Sequence, residues 1–434
     1  MSLYEPADGI LETHVTWEDV EADLQKKFGT KASFGENKKA TNISDLKGFM
    51  SRIALVEPDW QNVEEGKQLP EKFALKVRTQ FFELYQVFNQ ISSQLALHAL
   101  SKIMNFEGGA GFSEEKMKHF AKLTKECHNR EVEVYKLLMR FNHPNIPYTK
   151  VYSLKSFDDD DDLKGYLIVD FVSNIHEIEM FQNIPADDLF PLVRGIATFS
   201  ALTQSLSLEE TSFALGQNYL EMLFGEFLNE AELNKKFDRL ESQFEEKDKE
   251  NVEKLVKVFN HYKSLVKKYT TISETLNMAL VLNHGDLWQS NVIHSLNEDG
   301  TLKLEAMIDW QGVSRMPPGL DLSRLLLGCL SLEDRRTRGT EILNCYYETF
   351  TKVHGKELFT FQELQDCYNL FAPMMAMLLL PDMHSFIDNN TRVSEEMKVI
   401  VRKDTTKKMR AIMDDILEIH EYNLEHYPDF MRID

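Results

Sequence analysis

The chain has 434 residues, enough for two lobes or domains rather than one small core. Hydrophobic residues make up 43% and charged residues 27%, the proportions of a soluble globular protein. The net charge of -21 would repel polyanions, which disfavours binding to nucleic acids and to anionic membranes in general. The widely spaced Cys127, Cys329, Cys345 and Cys367 form no CxxC pair, so we expect neither a zinc site nor a disulfide framework.

The ends and the apolar runs of the chain indicate where it resides. The stretch from Met1 to Glu21 is polar and acidic and lacks the apolar core of a signal peptide. The longest apolar run, Phe371–Leu380, is half as long as a membrane span requires. We therefore expect a cytoplasmic protein without a membrane span, and the sequence is also compatible with a piece of a longer polypeptide.

The first part of the chain is predicted to be rich in strands. A short helical pattern covers Trp17–Phe28, and strand-like alternation follows at Gly48–Val56 and Lys72–Val77. A long helical pattern then covers Phe81–Asn105, and a second predicted helix begins near Ser113 and ends near residue 141.

Two further strands are predicted at Tyr148–Leu154 and Tyr166–Val172, separated by the five aspartates Asp158 to Asp162. A charge run of this kind is usually solvated, so we expect an exposed hairpin tip there and no metal site. From Ile184 onward the pattern is helical, except for a β-rich island at Ala279–Trp310. This order predicts an α+β protein with a small β-rich lobe with inserted helices over residues 1–170 and a larger helical lobe over residues 171–434.

The β-rich island contains the residues with the clearest chemistry. An apolar strand ends in His284-Gly285-Asp286, Asn291 follows five residues after the aspartate, and a returning strand ends in Asp309. Phosphoryl transfer needs a carboxylate that orients the acceptor hydroxyl and takes its proton, and oxygen ligands that hold magnesium against the phosphates. Asp286 is the candidate for the first task. Asn291 and Asp309 are the candidates for the second, because a hairpin would place them at neighbouring strand ends.

This segment resembles the HGDLWxxN and IDxQ motifs of the choline kinase-like superfamily, which includes choline kinase, aminoglycoside phosphotransferases and ecdysteroid kinase-like proteins. It resembles in particular the nematode DUF1679 family with its CHK kinase-like domain, from about residue 40 to about residue 400. The resemblance implies a two-lobed protein-kinase-like fold, with a small β-rich N-lobe and a large, mainly helical C-lobe that contains the catalytic hairpin. It also implies transfer of the γ-phosphoryl group of Mg-ATP to a hydroxyl of a small molecule.

The resemblance assigns nucleotide-binding residues in the β-rich part of the chain. Lys76 resembles the lysine that binds phosphates, and an unpaired lysine between apolar neighbours would be costly to bury. Glu131 resembles the helix glutamate that pairs with it, with Glu133 as a weaker rival and a solvated position as the alternative. Gly48 and Ser51 resemble the nucleotide-binding loop, although only Gly48 of the GxGxxG pattern is present and a plain turn is the alternative.

Four further residues are assigned by the same resemblance. Asp170 and Phe171 resemble the hinge between lobes, where backbone groups would bind adenine. Asp321 resembles a structural aspartate that braces the catalytic loop, a role compatible with capping the helix that follows it. His284 stands beside Asp286 as a candidate catalytic residue, but the resemblance favours loop fixation by hydrogen bonding over proton transfer.

The acceptor pocket is expected between the catalytic loop and the C-terminal helices. Its candidate residues are Trp288, Trp310, Met374 and Met377. Methionines suit an adaptable apolar pocket and would imply a lipophilic metabolite or xenobiotic alcohol, whereas the tryptophans and surplus acidity would suit a choline-like cation. Ordinary core is the alternative interpretation of the methionines. The sequence does not decide between these acceptors.

Three other functions share parts of this pattern. A protein kinase would carry HRD, DFG and a long activation segment, but only about ten residues separate Asp309 from Asp321. A pseudokinase acting as a nucleotide- or ligand-binding scaffold would keep the fold without turnover, and the retention of Lys76, Asp286 and the two metal-ligand candidates argues against it. A Rossmann oxidoreductase needs a strand, GxGxxG and a helix, whereas the glycine cluster at 108–111 lies between two helical patterns. The pattern therefore argues against a Rossmann domain within these residues, but not against one attached to them in a longer chain.

Overall fold

The computed structural model describes residues 2–3, 5–44, 51–79, 114–227, 230–390 and 392–433. The chain divides into two units. The sheet unit comprises Met1–Arg140 and Tyr148–Asn174, and the helical unit comprises Phe141–Pro147 and Ile175–Asp434. The predicted helix over Phe81–Asn105 lies outside the described residues.

An antiparallel sheet of five strands forms the centre of the described part of the sheet unit. In spatial order its strands are β2 (Lys39–Asn42), β3 (Ser51–Glu57), β5 (Phe73–Arg78), β7 (Tyr166–Asp170) and β6 (Val151–Lys155). A second, two-stranded pairing joins β1 (Ser33–Phe34) to β4 (Trp60–Gln61). On the central strand β5, buried Leu75 and Val77 alternate with Lys76, because successive side chains of a strand point to opposite faces. Lys76 and Arg78 therefore share one face of the sheet.

Two helices of the sheet unit are described, and their ends follow from the sequence. Helix α1 (Trp17–Phe28) begins at a capping box, in which Thr16 and Asp19 accept each other's backbone N–H groups. It ends at Gly29, which adopts a left-handed φ of 58° that glycine tolerates well. Helix α2 is the long segment Glu114–Phe141. The aspartate run lies between β6 and β7, and Asp158–Asp161 are exposed, as expected for a hairpin tip.

The helical unit consists mainly of helices around two short strand pairs. Its helices are α3 (Ala186–Leu202), α4 (Tyr219–Met222), α5 (Glu230–Ser242), α6 (Lys249–Ser264), α7 (Ile272–Leu276), α8 (Gly319–Cys329), α9 (Leu332–His354), α10 (Phe361–Leu379), α11 (Met383–Asp388), α12 (Glu395–His426) and α13 (Pro428–Met431). Strand β8 (Val281–Asn283) pairs with β11 (Ser314–Met316), and β9 (Val292–Leu296) pairs with β10 (Leu302–Met307). The sequence-predicted α+β class, with a small β-rich part followed by a mainly helical part that contains a β-hairpin, is confirmed.

Helix α8 occupies the centre of the helical unit, and all of its residues are buried. It packs against α10, while α3 packs against α9. The segment Phe361–Asp388, which includes α10, is long and apolar enough to cross a membrane by length and composition, with a mean hydropathy of 1.4. However, 72% of its most apolar window is buried inside the protein, as in the core helix of a globular unit.

Candidate active site

Lys76 and Glu131 form an ion pair inside the sheet unit. Lys76 lies on the central strand β5, between β3 and β7, and Glu131 lies on helix α2. Lys76 Nζ is 2.9 Å from both carboxylate oxygens of Glu131. Arg78 Nη2 donates to Glu131 Oε2 at 3.0 Å. The buried carboxylate of Glu131 is thus shared by two cations. This pairing offsets the cost of burying its charge.

The rival position, Glu133, lies elsewhere on the helix surface. Its side chain is 41% exposed and pairs with Lys136 at 2.7 Å, one turn along the same helix. His128, one turn before Glu131, is buried and its Nε2 donates to the Lys155 carbonyl oxygen at 2.7 Å. Burial, helped by the positive charge of Arg78, lowers the pKa of His128 to about 3. The imidazole is therefore neutral near the Lys76–Glu131 pair.

Two other nucleotide-binding candidates, Ser51 and Asp170, lie at strand ends of the same sheet. Gly48 lies outside the described residues, and Ser51 is the buried first residue of β3, opposite Arg78. Asp170 ends β7 and is exposed, and its backbone N–H donates to the Lys150 carbonyl oxygen at 2.8 Å. Phe171 follows, with Lys72 Nζ 4.9 Å from its ring centroid. The Asp170 N–H is therefore committed to a backbone hydrogen bond at the end of β7.

In the helical unit, the His284-Gly285-Asp286 turn is clamped by Asp321. Asp321 Oδ2 accepts from the His284 backbone N–H at 2.6 Å, and Oδ1 accepts from the Gly285 N–H at 3.0 Å. Burial raises the pKa of Asp321, while the two N–H groups and the positive charge of Arg324 act in the opposite direction. Asp321 lies in the first turn of α8, so the start of this helix holds the backbone of the loop.

The His284 ring joins this loop to the segment before Asp309. Its Nε2 contacts the Ile308 carbonyl oxygen at 2.9 Å, and its Nδ1 contacts the Asp286 backbone N–H at 3.3 Å. A carbonyl can only accept and an N–H can only donate, so the arrangement fits a neutral ring with its proton on Nε2. Both ring nitrogens are engaged with the backbone, which favours loop fixation over proton transfer to a substrate.

Gly285 allows the turn that contains Asp286 to approach the backbone at Gly312 closely. It has a φ of +79°, and a Cβ atom built on it would lie 1.8 Å from the Gly312 carbonyl oxygen. Both the left-handed conformation and the contact exclude a larger residue. The turn that presents Asp286 therefore depends on glycine at this position.

The Asp286 carboxylate is held by its neighbours in the loop. Trp288 Nε1 donates to Asp286 Oδ1 at 2.8 Å. Asn291 Nδ2 donates to the Asp286 carbonyl oxygen at 2.7 Å and lies 3.3 Å from Asp286 Oδ2. Because the amide nitrogen of Asn291 turns toward Asp286, its amide oxygen is left to bind another group. Asp286 and Asn291, the candidates for the proton acceptor and a metal ligand, are thus in direct contact.

Asn291 and Asp309 flank the paired strands β9 and β10. Val292 is opposite Met307, and the Ile308 N–H donates to the Asn291 carbonyl oxygen at 3.0 Å. Asp309 adopts a left-handed φ of 63°, and Gln311 Nε2 donates to its Oδ2 at 3.0 Å. The described residues hold no cluster of three or more His, Cys, Asp or Glu side chains suited to a metal. An amide and a carboxylate oxygen nevertheless fit magnesium, which takes few protein ligands alongside phosphates.

Three of the four acceptor-pocket candidates lie in the protein core. Trp310, Met374 and Met377 have no exposed surface. The Trp310 ring packs 4.5 Å from the His284 ring and 4.8 Å from Phe199, between centroids. The methionines are buried residues of α10, which fits the alternative interpretation that they are ordinary core residues. Trp288, which is partly exposed, is the one of the four that borders solvent.

Sequence reasoning missed three residues that contact the site. Arg78 shares Glu131 with Lys76. Arg324, on α8 one turn after Asp321, donates to Tyr219 Oη at 3.3 Å, and that hydroxyl donates to the Gly285 carbonyl oxygen at 3.2 Å. The available signal was an arginine within an otherwise apolar helix, three residues after an aspartate, since positions three apart share a helix face.

Comparison with known proteins identifies the family. The family model DUF1679, described as "Uncharacterized oxidoreductase dhs-27", matches residues 3–424. The chain therefore belongs to the DUF1679 family. The resemblance to this family that the motifs indicate is confirmed.

A curated relative and several solved structures are also similar. The chain is 29% identical over 217 residues to the "Uncharacterized kinase-like protein D1044.1" of Caenorhabditis elegans, covering 48% of this chain and 52% of that protein. This chain thus spans about half the length of that relative. The GDP complex of wild-type aminoglycoside 2'-phosphotransferase-IIIa has a TM-score of 0.40, 14% identity and coverage of 94% of this chain and 99% of its own. A Plasmodium vivax ethanolamine kinase has a TM-score of 0.37 and 12% identity, with coverage of 87% and 82%.

The described sheets bear on the oxidoreductase activity that the family description names. A dinucleotide-binding Rossmann domain requires a parallel sheet with a glycine-rich turn at its edge. Every ladder between strands in the described part of the chain is antiparallel. The glycine cluster at 108–111 lies outside the described residues. The described sheets are therefore not those of a dinucleotide-binding domain.

Proposed function

We propose that this protein is a small-molecule kinase that transfers the γ-phosphoryl group of Mg-ATP to a hydroxyl group. The observation that carries the proposal is the loop in which Asn291 Nδ2 contacts both the backbone and the carboxylate of Asp286. Such a loop offers a carboxylate for an acceptor hydroxyl beside an amide oxygen for a metal ion. The similarity to a kinase-like relative supports the same class of reaction.

In this proposal the sheet unit contributes the phosphate-binding group. Lys76 would bind the α- and β-phosphates, the role of the strand lysine in kinases. Its ion pair with Glu131 at 2.9 Å supports this assignment, because the carboxylate fixes the ammonium group in the absence of nucleotide. Ser51 and the Asp170–Val172 backbone are proposed to contact the phosphates and the adenine.

The helical unit contributes the acceptor side of the reaction. Asp286 orients the acceptor hydroxyl and accepts its proton as the new oxygen–phosphorus bond forms and the bond to the β-phosphate oxygen breaks, releasing ADP. His284 and Asp321 keep the loop in place through backbone hydrogen bonds. Asn291 and Asp309 would hold magnesium through oxygen atoms, and the bound ion would neutralise phosphate charge.

The acceptor is proposed to be a small alcohol that contacts the partly exposed face of Trp288. Met374 and Met377 are buried, whereas Trp288 borders solvent beside the Asp286 carboxylate, which supports Trp288 as the acceptor contact. An aromatic face next to a carboxylate is a common environment for a cationic or hydroxylated ligand. Choline-like alcohols and aminoalcohols are therefore the first compounds to screen as acceptors.

The decisive experiment is a thermal-shift titration with Mg-ATP, since a ligand that binds only the folded state raises the melting temperature. Wild type is expected to gain stability with Mg-ATP and much less with ATP in EDTA. Asp309→Ala is expected to lose the magnesium-dependent part, and Asp286→Ala is expected to keep it while losing ADP formation. Asp404→Ala, at an exposed aspartate of α12, is the matched control. A Mg-GTP titration in parallel reports base preference.

Each outcome has a defined meaning. A magnesium-dependent shift that disappears in Asp309→Ala supports the nucleotide site and the metal ligand together. A shift that persists unchanged in Asp309→Ala refutes that assignment. A shift in wild type without ADP formation from any acceptor favours a nucleotide-binding pseudokinase. The absence of any shift at millimolar nucleotide would contradict the proposed function.

A further inference from the structure

Trp288 and Arg324 form a second layer behind the Asp286 carboxylate. The Trp288 indole Nε1 donates to Asp286 Oδ1 at 2.8 Å. The Arg324 guanidinium lies over the same indole, with Cζ 5.3 Å from the ring centroid. Arg324 is only 3% exposed, and a cation–π contact is strongest when it is shielded from water. A buried cation therefore packs on the indole whose N–H holds the candidate catalytic carboxylate.

Arg324 is not explained as a stabiliser of the fold. Its Nη2 donates to Tyr219 Oη at 3.3 Å, but its Nε and Nη1 are buried without a hydrogen-bond partner among the residues that the structure describes. Unsatisfied donors on a buried cation cost free energy, and an aliphatic side chain in α8 would avoid that cost. The negative charges that face Arg324 are those of Asp286 and Asp321, both in or beside the catalytic loop. The arginine is thus stabilised by the loop that it contacts.

The two oxygens of Asp286 have unequal surroundings. Oδ1 accepts the 2.8 Å hydrogen bond from Trp288, whereas the hydrogen-bond contact of Oδ2 within the described part of the chain is the longer one, 3.3 Å, to Asn291 Nδ2. Short hydrogen bonds to ionised carboxylates are the strong ones and fix the orientation of the group. Oδ2 is therefore the oxygen left to accept the proton of an acceptor hydroxyl.

We propose that Trp288 and Arg324 are positioning residues that hold Asp286 in the orientation that directs Oδ2 to the acceptor. The inference rests on the proposed function, because it assigns the reacting oxygen of the same carboxylate. A cation over the ring face withdraws electron density from the indole and makes its N–H a stronger donor. Arg324 acts through Trp288, and Trp288 acts through Asp286.

The hydrogen bond can be observed without any turnover. The chain has four tryptophans, so a nitrogen-15 indole spectrum of the full chain has four N–H signals, and Trp288→Phe identifies the signal of Trp288. We expect Asp286→Ala to move this signal upfield and to speed its exchange with water. Arg324→Met should move it in the same direction, and Arg324→Lys should restore it in part. The Trp310 signal, from an indole that donates to the Met307 carbonyl oxygen, is the matched control.

A kinetic readout separates positioning from packing. With Mg-ATP as substrate and water or a screened alcohol as acceptor, Trp288→Phe and Arg324→Met should lower kcat by about 10- to 100-fold, the value of a hydrogen bond to a charged group. The KM for ATP should change by less than about 2-fold, because nucleotide binding does not use this contact. Arg324→Lys should recover part of the lost kcat.

The outcomes distinguish this inference from the proposed function. A Trp288 signal that does not respond to Asp286→Ala, while the other three indole signals show an intact fold, overturns the positioning role. A loss expressed in KM rather than kcat overturns it as well. By contrast, an indole signal that responds as expected in a protein without any Mg-ATP melting shift keeps the contact and rejects the kinase function.

Discussion

Lys76 and Arg78, two residues apart on strand β5, donate to the same carboxylate, that of Glu131. The side chain of Arg78 is 1% exposed and that of Lys76 is 14% exposed, so the arginine is the inner of the two cations. A carboxylate with two cationic partners stays paired when one of them moves. In the proposed function, Lys76 would turn toward a phosphate while Arg78 continues to neutralise Glu131.

Replacing Arg78 by methionine is expected to destabilise the sheet unit. Leaving a buried charge without a partner costs about 3–5 kcal/mol, and because Lys76 stays paired with Glu131 we expect a loss below that range but above about 1 kcal/mol. The control is Lys136→Met, which breaks an exposed pair with Glu133 on the same helix and should cost less than about 1 kcal/mol. Urea unfolding gives both free energies. Equal values for the two variants would show that Arg78 does not neutralise Glu131.

Glu131→Gln is expected to weaken Mg-ATP binding by about 10-fold, which corresponds to 1.4 kcal/mol of binding free energy. The amide keeps the shape of the carboxylate but removes the charge that fixes Lys76. Glu133→Gln makes the same chemical change at a partly exposed position two residues away and should leave binding unchanged. Calorimetric titration measures both affinities. Weakening by Glu133→Gln alone would return the pairing role to the rival glutamate.

Gly285→Ala and Gly300→Ala make a matched pair of backbone tests. Both glycines have a positive φ, +79° and +83°, so each alanine is strained by about 1 kcal/mol or more. Only at Gly285 would the new Cβ also meet the Gly312 carbonyl oxygen, at 1.8 Å, whereas nothing lies within 4 Å at Gly300. We expect Gly285→Ala to lower the melting temperature further and to abolish the Mg-ATP response. Similar behaviour of the two variants would refute the close approach.

Acidification is expected to destabilise the protein through His128. Its folded pKa of about 3 lies below the ordinary value of 6.5, so below pH 6.5 the unfolded chain binds a proton that the folded chain does not. This contribution to stability is therefore complete above pH 6.5 and is lost as the pH falls toward 3, by about 1.4 kcal/mol per pH unit.

The variant His128→Gln isolates that contribution, because glutamine can donate to the Lys155 carbonyl but does not titrate. Unfolding free energies measured between pH 7 and pH 5 should fall less steeply in this variant than in wild type. The same substitution at the exposed His426 controls for the general effect of replacing a histidine. Parallel pH profiles for wild type and His128→Gln would contradict the assignment.

The parts of the site that are local in sequence could be predicted, and the parts that depend on packing could not. Asp286, Asn291 and Asp309 belong to one turn and one hairpin. Their spacing along the sequence therefore already predicts that these residues lie near the same strand ends. The contacts of Arg78 and Arg324 depend on which helix covers each strand or loop, which no short pattern encodes.

The acceptor-pocket candidates show a second limit of sequence patterns. Met374 and Met377 lie in an apolar segment. A segment of this composition can form core or line a pocket, so composition alone does not distinguish the two. Burial in the folded chain separates these two possibilities. The Lys76–Glu131 contact, by contrast, was expected from the family resemblance rather than from spacing, and its role in catalysis stays a prediction.

The His284 ring has a consequence for how the sequence can change. Because the ring contacts the Asp286 N–H on one side and the Ile308 carbonyl on the other, a rigid five-membered ring sets the interval between the two loop segments. The hairpin tip at Asn297–Gly300 is exposed and does not set that interval. Insertions and deletions at this tip can therefore accumulate during evolution without altering the interval, whereas exchange of the histidine for a flexible side chain removes the spacer.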